Sequence, residues 1–288
     1  MSITAIVICS IAAFESLIIL IANSFTVFVF WIHRSKLKRT SFLLINLAVA
    51  DLLVGFTEPI AIGTVAIPQR FEEQDNNGNI STAFQTTFAS ASVFCLVVIS
   101  LERAFALIWP FRHRATSTAT YICGVAIVWA AGTTVGMLTL LAVYSIVNFV
   151  NWIVAYCCII ALSLLIICAS YLSIRRKLTC RLNPAMDTAH NDNRQSPEEH
   201  NTKLSRTLFI MIAASLGFWL PSTVLFSVHV LCNKCLPINL IYTSTMLHSA
   251  NSLVNPIIYS FRMPMFREAL RRVRLRKRSK EYAVHYQP

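Results

Sequence analysis

Charge is scarce in this sequence. Only 13% of its 288 residues are Asp, Glu, Lys or Arg, and the acids number just 13. A soluble chain of this length carries far more charge, so a soluble globular domain is excluded. Catalytic signatures are missing as well. There is no His-Glu-x-x-His, no Gly-x-Ser-x-Gly elbow and no phosphate-binding glycine loop. Nothing therefore points to an enzyme. Inverted repeats and paired broken helices, the marks of many transporters, are not found either. A transporter or channel stays as the alternative class.

What is present is apolar: 56% of the residues are hydrophobic. They gather in runs near 4–31, 40–64, 82–107, 117–142, 147–175, 204–231 and 238–260. Each run is long enough to cross a hydrocarbon core that needs ~20 residues. The first is too long for a signal-peptide core and has no basic n-region, so it reads as a signal anchor. These runs predict an all-α membrane protein, a seven-transmembrane helix bundle. Residues 263–276 predict a short amphipathic interfacial eighth helix near 264–276. The seven-helix domain is then 1–276, with a short basic tail over 277–288.

The basic residues alternate between loops. Arg34, Lys36, Lys38 and Arg39 follow the first run, and Arg112 and Arg114 follow the third. Arg175, Arg176, Lys177 and Arg181 follow the fifth, and the tail after 261 is strongly basic. The other loops hold only Arg70 and Lys234. Basic loops stay cytoplasmic, which predicts an outside N-terminus and a cytoplasmic C-terminus. The net charge of +12 is thereby assigned to a membrane surface facing anionic inner-leaflet lipid, and no nucleic-acid partner is implied.

Polar side chains inside the runs carry the functional information, because each is costly in hydrocarbon. At ~100° per residue, Asn251, Ser252, Asn255 and Tyr259 fall on one narrow stripe, with Pro256 among them. Run two holds Asp51. On run three, Gln85, Ala89, Ser92, Leu96, Ile99 and Arg103 share one face.

Asn255-Pro256-Ile-Ile-Tyr259 resembles helix seven of the rhodopsin-like (class A) G-protein-coupled receptors. Glu102-Arg103-Ala104, followed by Trp109-Pro110, is similar to the family's acid-Arg-Tyr motif. Phe218-Trp219-Leu220-Pro221 resembles its Cys-Trp-x-Pro switch, and Trp129, Asn46 and Tyr171 match further family positions. Ala104 replaces a tyrosine, Ser163 a proline and Ser215 a phenylalanine. The outer cysteine position near helix three is Gly78, and Cys232 and Cys235 stand in the last outer loop. The very short N-terminus, the short second outer loop, the lack of a disulfide to helix three and of a helix-five proline, and the cysteines in the third outer loop loosely resemble the melanocortin, lysophospholipid and cannabinoid branch.

The resemblance implies a plasma-membrane receptor that binds an extracellular ligand and activates a heterotrimeric G protein. The implied ligand positions are Gln85, Thr86, Glu58, Trp152, Trp219, Ser222, Phe226, Thr245 and Ser249. With no buried lysine or arginine there, the ligand is expected to be small and neutral or cationic. The implied coupling residues are Glu102, Arg103, Tyr171, Trp219, Pro221, Asn255, Pro256 and Tyr259. Asp51, Ser92, Asn251, Ser252 and Asn255 match an allosteric sodium pocket, a sensible oxygen set for a hard cation. No other cofactor is expected, and retinal is ruled out because its lysine position is Ser249. Beyond residue 262 only Ser279 can be phosphorylated on a hydroxyl of Ser or Thr, so arrestin recruitment is expected to be weak or loop-dependent.

Overall fold

A computed structural model describes residues 3–36, 39–66, 76–182, 197–232 and 235–271. The described residues are helical throughout their regular structure. The helices are α1 (Ile3–Ile32), α2 (Ser41–Ala66), α3 (Asn76–Ile108), α4 (Pro110–Ala115), α5 (Thr118–Val143), α6 (Phe149–Leu182), α7 (Pro197–Leu231) and α8 (Ile238–Arg262). A further helical stretch covers 264–271. The basic tail expected over 277–288 and the remainder of the expected interfacial helix lie outside the described residues, as do Arg70 and Lys234.

Five of these helices, α1, α2, α3, α5 and α6, are long and apolar enough to cross a membrane. Helix α7 adds a shorter apolar stretch, Ala213–Val228. The distribution of side chains is inverted relative to a soluble bundle. Phe14, Ile21, Trp31, Ile122 and Leu165 each expose more than 60% of their surface, whereas Asn23, Asp51, Glu58, Ser90 and Ser249 expose none. Apolar outside and polar inside is what a lipid solvent selects.

Two helices outrun their apolar stretches. The segment 177–203 reads as a loop, yet α6 continues to Leu182 and α7 begins at Pro197. Arg176, Lys177 and Leu178 are good helix formers, so the helix persists past the hydrocarbon edge. Pro197 fits a first helical position, where its missing N–H costs nothing. Helix α4 is a second difference: Pro110 starts a short helix directly after Trp109.

Three prolines sit inside helices: Pro59 in α2, Pro221 in α7 and Pro256 in α8. Each removes the hydrogen bond to the carbonyl four residues earlier. For two of them α1 supplies the replacement. Ser16 Oγ donates to the Gly55 carbonyl that Pro59 leaves unpaired. Asn23 Nδ2 donates at 3.0 Å to the Ser252 carbonyl that Pro256 leaves unpaired. Helix α1 is thus fastened to both of these proline-containing helices by polar bonds in an apolar medium.

Helix α3 runs through the middle, packed against α2, α5 and α6. Its approach to α5 is set by Gly132 and Gly136. A Cβ on Gly136 would fall 1.8 Å from Thr87 Oγ1 and 2.9 Å from the Ala83 carbonyl. At the far end of the bundle Phe266, fully buried, meets Phe30 and Tyr259 with ring centroids 5.3 and 5.7 Å away. That contact docks the stretch 264–271 onto α1 and α8.

Candidate functional site

The first centre is Asp51, wholly buried at mid-bundle. Ser92 and Ser252 donate to its Oδ1 at 2.6 and 2.9 Å, and Asn255 Nδ2 donates to Oδ2 at 2.8 Å. Helices α2, α3 and α8 therefore converge on one carboxylate, as the shared stripes require. Asn251 stays outside this hydrogen-bonded set. Its Oδ1, like that of Asn255, is buried without a partner among the described residues. Buried amide oxygens lacking a donor are uncommon. Together with the Asp51 carboxylate, these oxygens are a set that could hold a hard, sodium-type cation. No group of three or more His, Cys, Asp or Glu that could hold a metal occurs among the described residues.

The second centre lies at the α3 end that carries Arg103. Arg103 Nε contacts Glu102 Oε2 at 2.5 Å. The other carboxylate oxygen of Glu102 meets His113 Nε2 at 2.7 Å and accepts from Tyr121 Oη at 3.2 Å. Glu102 thus joins α3 to α4 and α5 while neutralising Arg103. Tyr171 packs at the edge of the core that contains Leu96, Ile99 and Tyr259. Tyr259 is buried among Phe30 and Phe266, about one to two turns past Asn255 and Ser252 on α8.

Trp129 Nε1 donates to Asn46 Oδ1 at 2.8 Å, and Asn46 Nδ2 reaches Cys95 Sγ at 2.8 Å. This chain of contacts fixes α5 against α2 and α3 beside the Asp51 centre.

The third centre is a cavity of about 220 Å³ at the opposite end of the bundle. Gln85, Thr86, Trp219, Ser222, Phe226 and Thr245 line it, together with His248, Tyr156 and Thr223. Three positions expected to face it do not. Trp152 stands behind Tyr156, with ring centroids 6.2 Å apart. Glu58 and Ser249 lie behind Gln85. The Gln85 carbonyl accepts from Thr57, and its amide reaches Ser249 Oγ at 3.4 Å. Gln85 thereby forms the wall between the cavity and Glu58.

Sequence reasoning overlooked His248, whose ring stands edge-on to Trp219 with centroids 3.9 Å apart. Its position, one residue before Ser249 on the same helix, was the available signal. Pro221 interrupts the backbone hydrogen bonding of α7 just past Trp219, and Ser222 and Thr223 donate to the Trp219 carbonyl at 3.1 and 2.7 Å. Ser163, at the position where the family has a proline, donates to Ile159 O at 2.8 Å within α6. Ser215 is buried with its hydroxyl unpartnered among the described residues. Cys232 and Cys235, with Cα atoms 5.4 Å apart, form a disulfide after α7.

Residues 22–259 match the family described as "7 transmembrane receptor (rhodopsin family)". Among individual proteins, the adenosine receptor A2a of Canis lupus familiaris is 24% identical over 288 residues, covering 88% of this chain and 68% of that receptor. The adenosine receptor A3 of the same organism is 25% identical over 271 residues, covering 86% and 84%. The somatostatin receptor type 3 of Mus musculus is 27% identical over 284 residues, covering 89% and 65%. All three are receptors by name.

Proposed function

Because this chain belongs to the rhodopsin family of 7 transmembrane receptors, and so is a G-protein-coupled receptor for an extracellular ligand, we propose how its three centres divide that work. The cavity behind Trp219 receives the ligand. The Asp51 centre holds a sodium ion in the resting state. The Arg103 end engages the heterotrimeric G protein. The seven spans comprise α1, α2, α3, α5, α6, α7 and α8, and the stretch from 264 forms the interfacial helix. The receptor sits in the plasma membrane with its N-terminus outside, and its basic loops and tail lie against anionic inner-leaflet lipid. It acts as a receptor and not as an enzyme.

One observation carries this reading: a polar-and-aromatic cavity ends on Trp219, two residues before Pro221, where α7 can bend. A ligand that favours one setting of that bend shifts the population of the whole helix. The coupling residues are Glu102, Arg103, Tyr171, Trp219, Pro221, Asn255, Pro256 and Tyr259. When Arg103 leaves Glu102, its long guanidinium becomes available to the partner.

The ligand is small and neutral or cationic. Among the described residues no Lys or Arg lines the cavity, and an anionic head group needs such a partner. Gln85, Thr86, Ser222 and Thr245 offer neutral hydrogen-bonding groups, and Phe226 offers an aromatic face. Trp152, Glu58 and Ser249 act from behind this first layer. Retinal has no lysine to bind. Adenosine, the ligand in the names of two relatives, is the first compound to test.

The experiment is a ligand screen in cells expressing the receptor with a promiscuous G protein. Adenosine, amines, neutral lipids, peptides and anionic lipids form the panel. A neutral or cationic agonist weakened by Phe226→Ala and Thr245→Ala is expected. A potent anionic-lipid agonist that survives Arg70→Ala and Lys234→Ala refutes the assignment.

A further inference from the structure

Several side chains that line the cavity have already spent their protons. Thr86 Oγ1 donates to the Thr82 carbonyl at 2.8 Å, and Thr223 Oγ1 to the Trp219 carbonyl at 2.7 Å. Ser222 Oγ has one proton, directed at the Phe218 and Trp219 carbonyls at 2.9 and 3.1 Å. Ser244 Oγ donates from α8 to the Ser222 carbonyl of α7 at 3.0 Å. Cys157 behaves alike. Ser227 gives its proton to the Thr223 carbonyl at 2.7 Å, so the thiol is the donor in the 3.1 Å contact between Cys157 and Ser227. Each of these groups turns its proton into the protein and keeps lone pairs for whatever fills the cavity.

The nitrogen donors nearby are withheld. The Gln85 amide reaches Ser249 at 3.4 Å. Trp219 Nε1 and His248 Nε2 are buried beneath the surface, without a partner among the described residues. A ligand that only accepts hydrogen bonds must therefore draw a hydroxyl proton away from its carbonyl. One bond is lost for each one gained, and the exchange is close to neutral. A ligand that donates takes nothing from the protein, so each of its bonds is a gain.

We propose that the cavity selects a hydrogen-bond donor: a small molecule whose N–H or O–H groups point toward Thr86 of α3, Ser222 and Thr223 of α7 and Ser244 of α8. This rests on the cavity being the ligand site. A lining without charge admits any neutral ligand; the direction of its hydrogen bonds admits fewer. The lone pairs come from three helices, so a molecule with several donors aimed in different directions gains most. A molecule of the same shape with carbonyl or ether oxygens alone gains little.

The test is the melting temperature of the full purified chain, titrated with two matched pairs of probes. Phenylurea and resorcinol carry N–H or O–H donors. Fully N-methylated phenylurea and the dimethyl ether of resorcinol keep the ring and the acceptors and carry no donor. A saturable rise is expected with phenylurea and with resorcinol. Their midpoints should lie about tenfold or more below those of their methylated partners, the scale of two ordinary hydrogen bonds. Methylation also adds bulk, so Thr223→Val decides, because it keeps the shape of the wall and removes the acceptor. There the phenylurea midpoint should rise several-fold, while that of its methylated partner should not move. Each variant is read against its own melting temperature without probe, and Thr86→Val gives the same readout from α3 if Thr223→Val does not fold.

Equal midpoints within either pair overturn the proposal, as does the absence of a rise with either donor probe. So does a phenylurea midpoint unchanged in both Thr223→Val and Thr86→Val. Phe226→Ala separates this from the assignment of the cavity itself. Methylated probes that bind as well as their parents, and are weakened by Phe226→Ala, leave the cavity as the ligand site and remove only the preference. Donor probes indifferent to Phe226→Ala and to both valine variants remove the cavity as well.

Discussion

Replacing Asp51 by Asn tests whether the mid-bundle carboxylate serves the fold or an ion. In the parent three donors point at it, from Ser92, Ser252 and Asn255 at 2.6 to 2.9 Å. An asparagine keeps one oxygen, which can still accept from both hydroxyls. Its new NH₂ then faces the Asn255 amide. A flip of Asn255 presents the oxygen that lacks a partner in the parent, so all three bonds persist. What is lost is their charged character. Hydrogen bonds to charged groups contribute ~1.5–3 kcal/mol and neutral ones ~0.5–1.5 kcal/mol, so three bonds lose about 3 kcal/mol together. Relief from burying a carboxylate offsets a comparable amount.

Asp51→Asn should therefore fold with nearly parental stability, whereas Asp51→Leu strands three buried donors at ~1–3 kcal/mol each. The ion linkage behaves differently. At ten times its Kd, sodium stabilises the state that binds it by about 1.4 kcal/mol. For a chain of this size that is a shift of roughly 3–5 °C in melting temperature. Purified parent should melt higher in sodium chloride than in choline chloride, and Asp51→Asn should melt alike in both. Agonist affinity should fall with sodium by about 5- to 150-fold in the parent, the usual span of such coupling, and stay flat in the variant. A parent indifferent to sodium, or a sodium response that persists in Asp51→Asn, refutes the reasoning.

Glu102→Gln removes the charge that holds Arg103 and contacts His113, so basal G-protein activity should rise several-fold, as loss of an ion pair of ~1 kcal/mol permits; expression-matched cells with unchanged basal signal would speak against it. Gly136→Ala drives a Cβ to within 1.8 Å of Thr87 Oγ1 and should cost ~1–3 kcal/mol by overpacking. Gly217→Ala meets nothing within 4 Å and should melt at or above the parent, so equal melting of the two variants would refute the packing account. Truncation after Arg278 removes Ser279 and should leave arrestin recruitment nearly unchanged, with any phosphorylation mapping to Thr179, Thr188, Ser196 or Thr202; a large loss in a recruitment assay would contradict this.

The polar residues legible from sequence were those that a helical period places on a common face. Asp51 needed oxygens, and Ser92, Ser252 and Asn255 were found among the candidates because hydrocarbon penalises a polar group that faces outward. Arg103 was legible for the same reason, as the end of the stripe from Gln85 through Ser92. The long apolar runs and the alternation of basic loops required no tertiary information either. A period of ~3.6 residues and the cost of charge in lipid are local properties of the chain.

The rotation and depth of one helix against the next are not local. They decided that Asn251 stands apart from the Asp51 hydrogen bonds and that His113 and Tyr121 share Glu102. They turned Gln85 into a wall between the cavity and Glu58, and swung His248 onto Trp219. They also matched Ser16 to the carbonyl freed by Pro59 and Asn23 to the one freed by Pro256. Each of these pairs joins residues from different helices, where a shift of one turn, about 5.4 Å, replaces every partner. The sequence by itself determined which groups had to face inward; only packing decided which of them met.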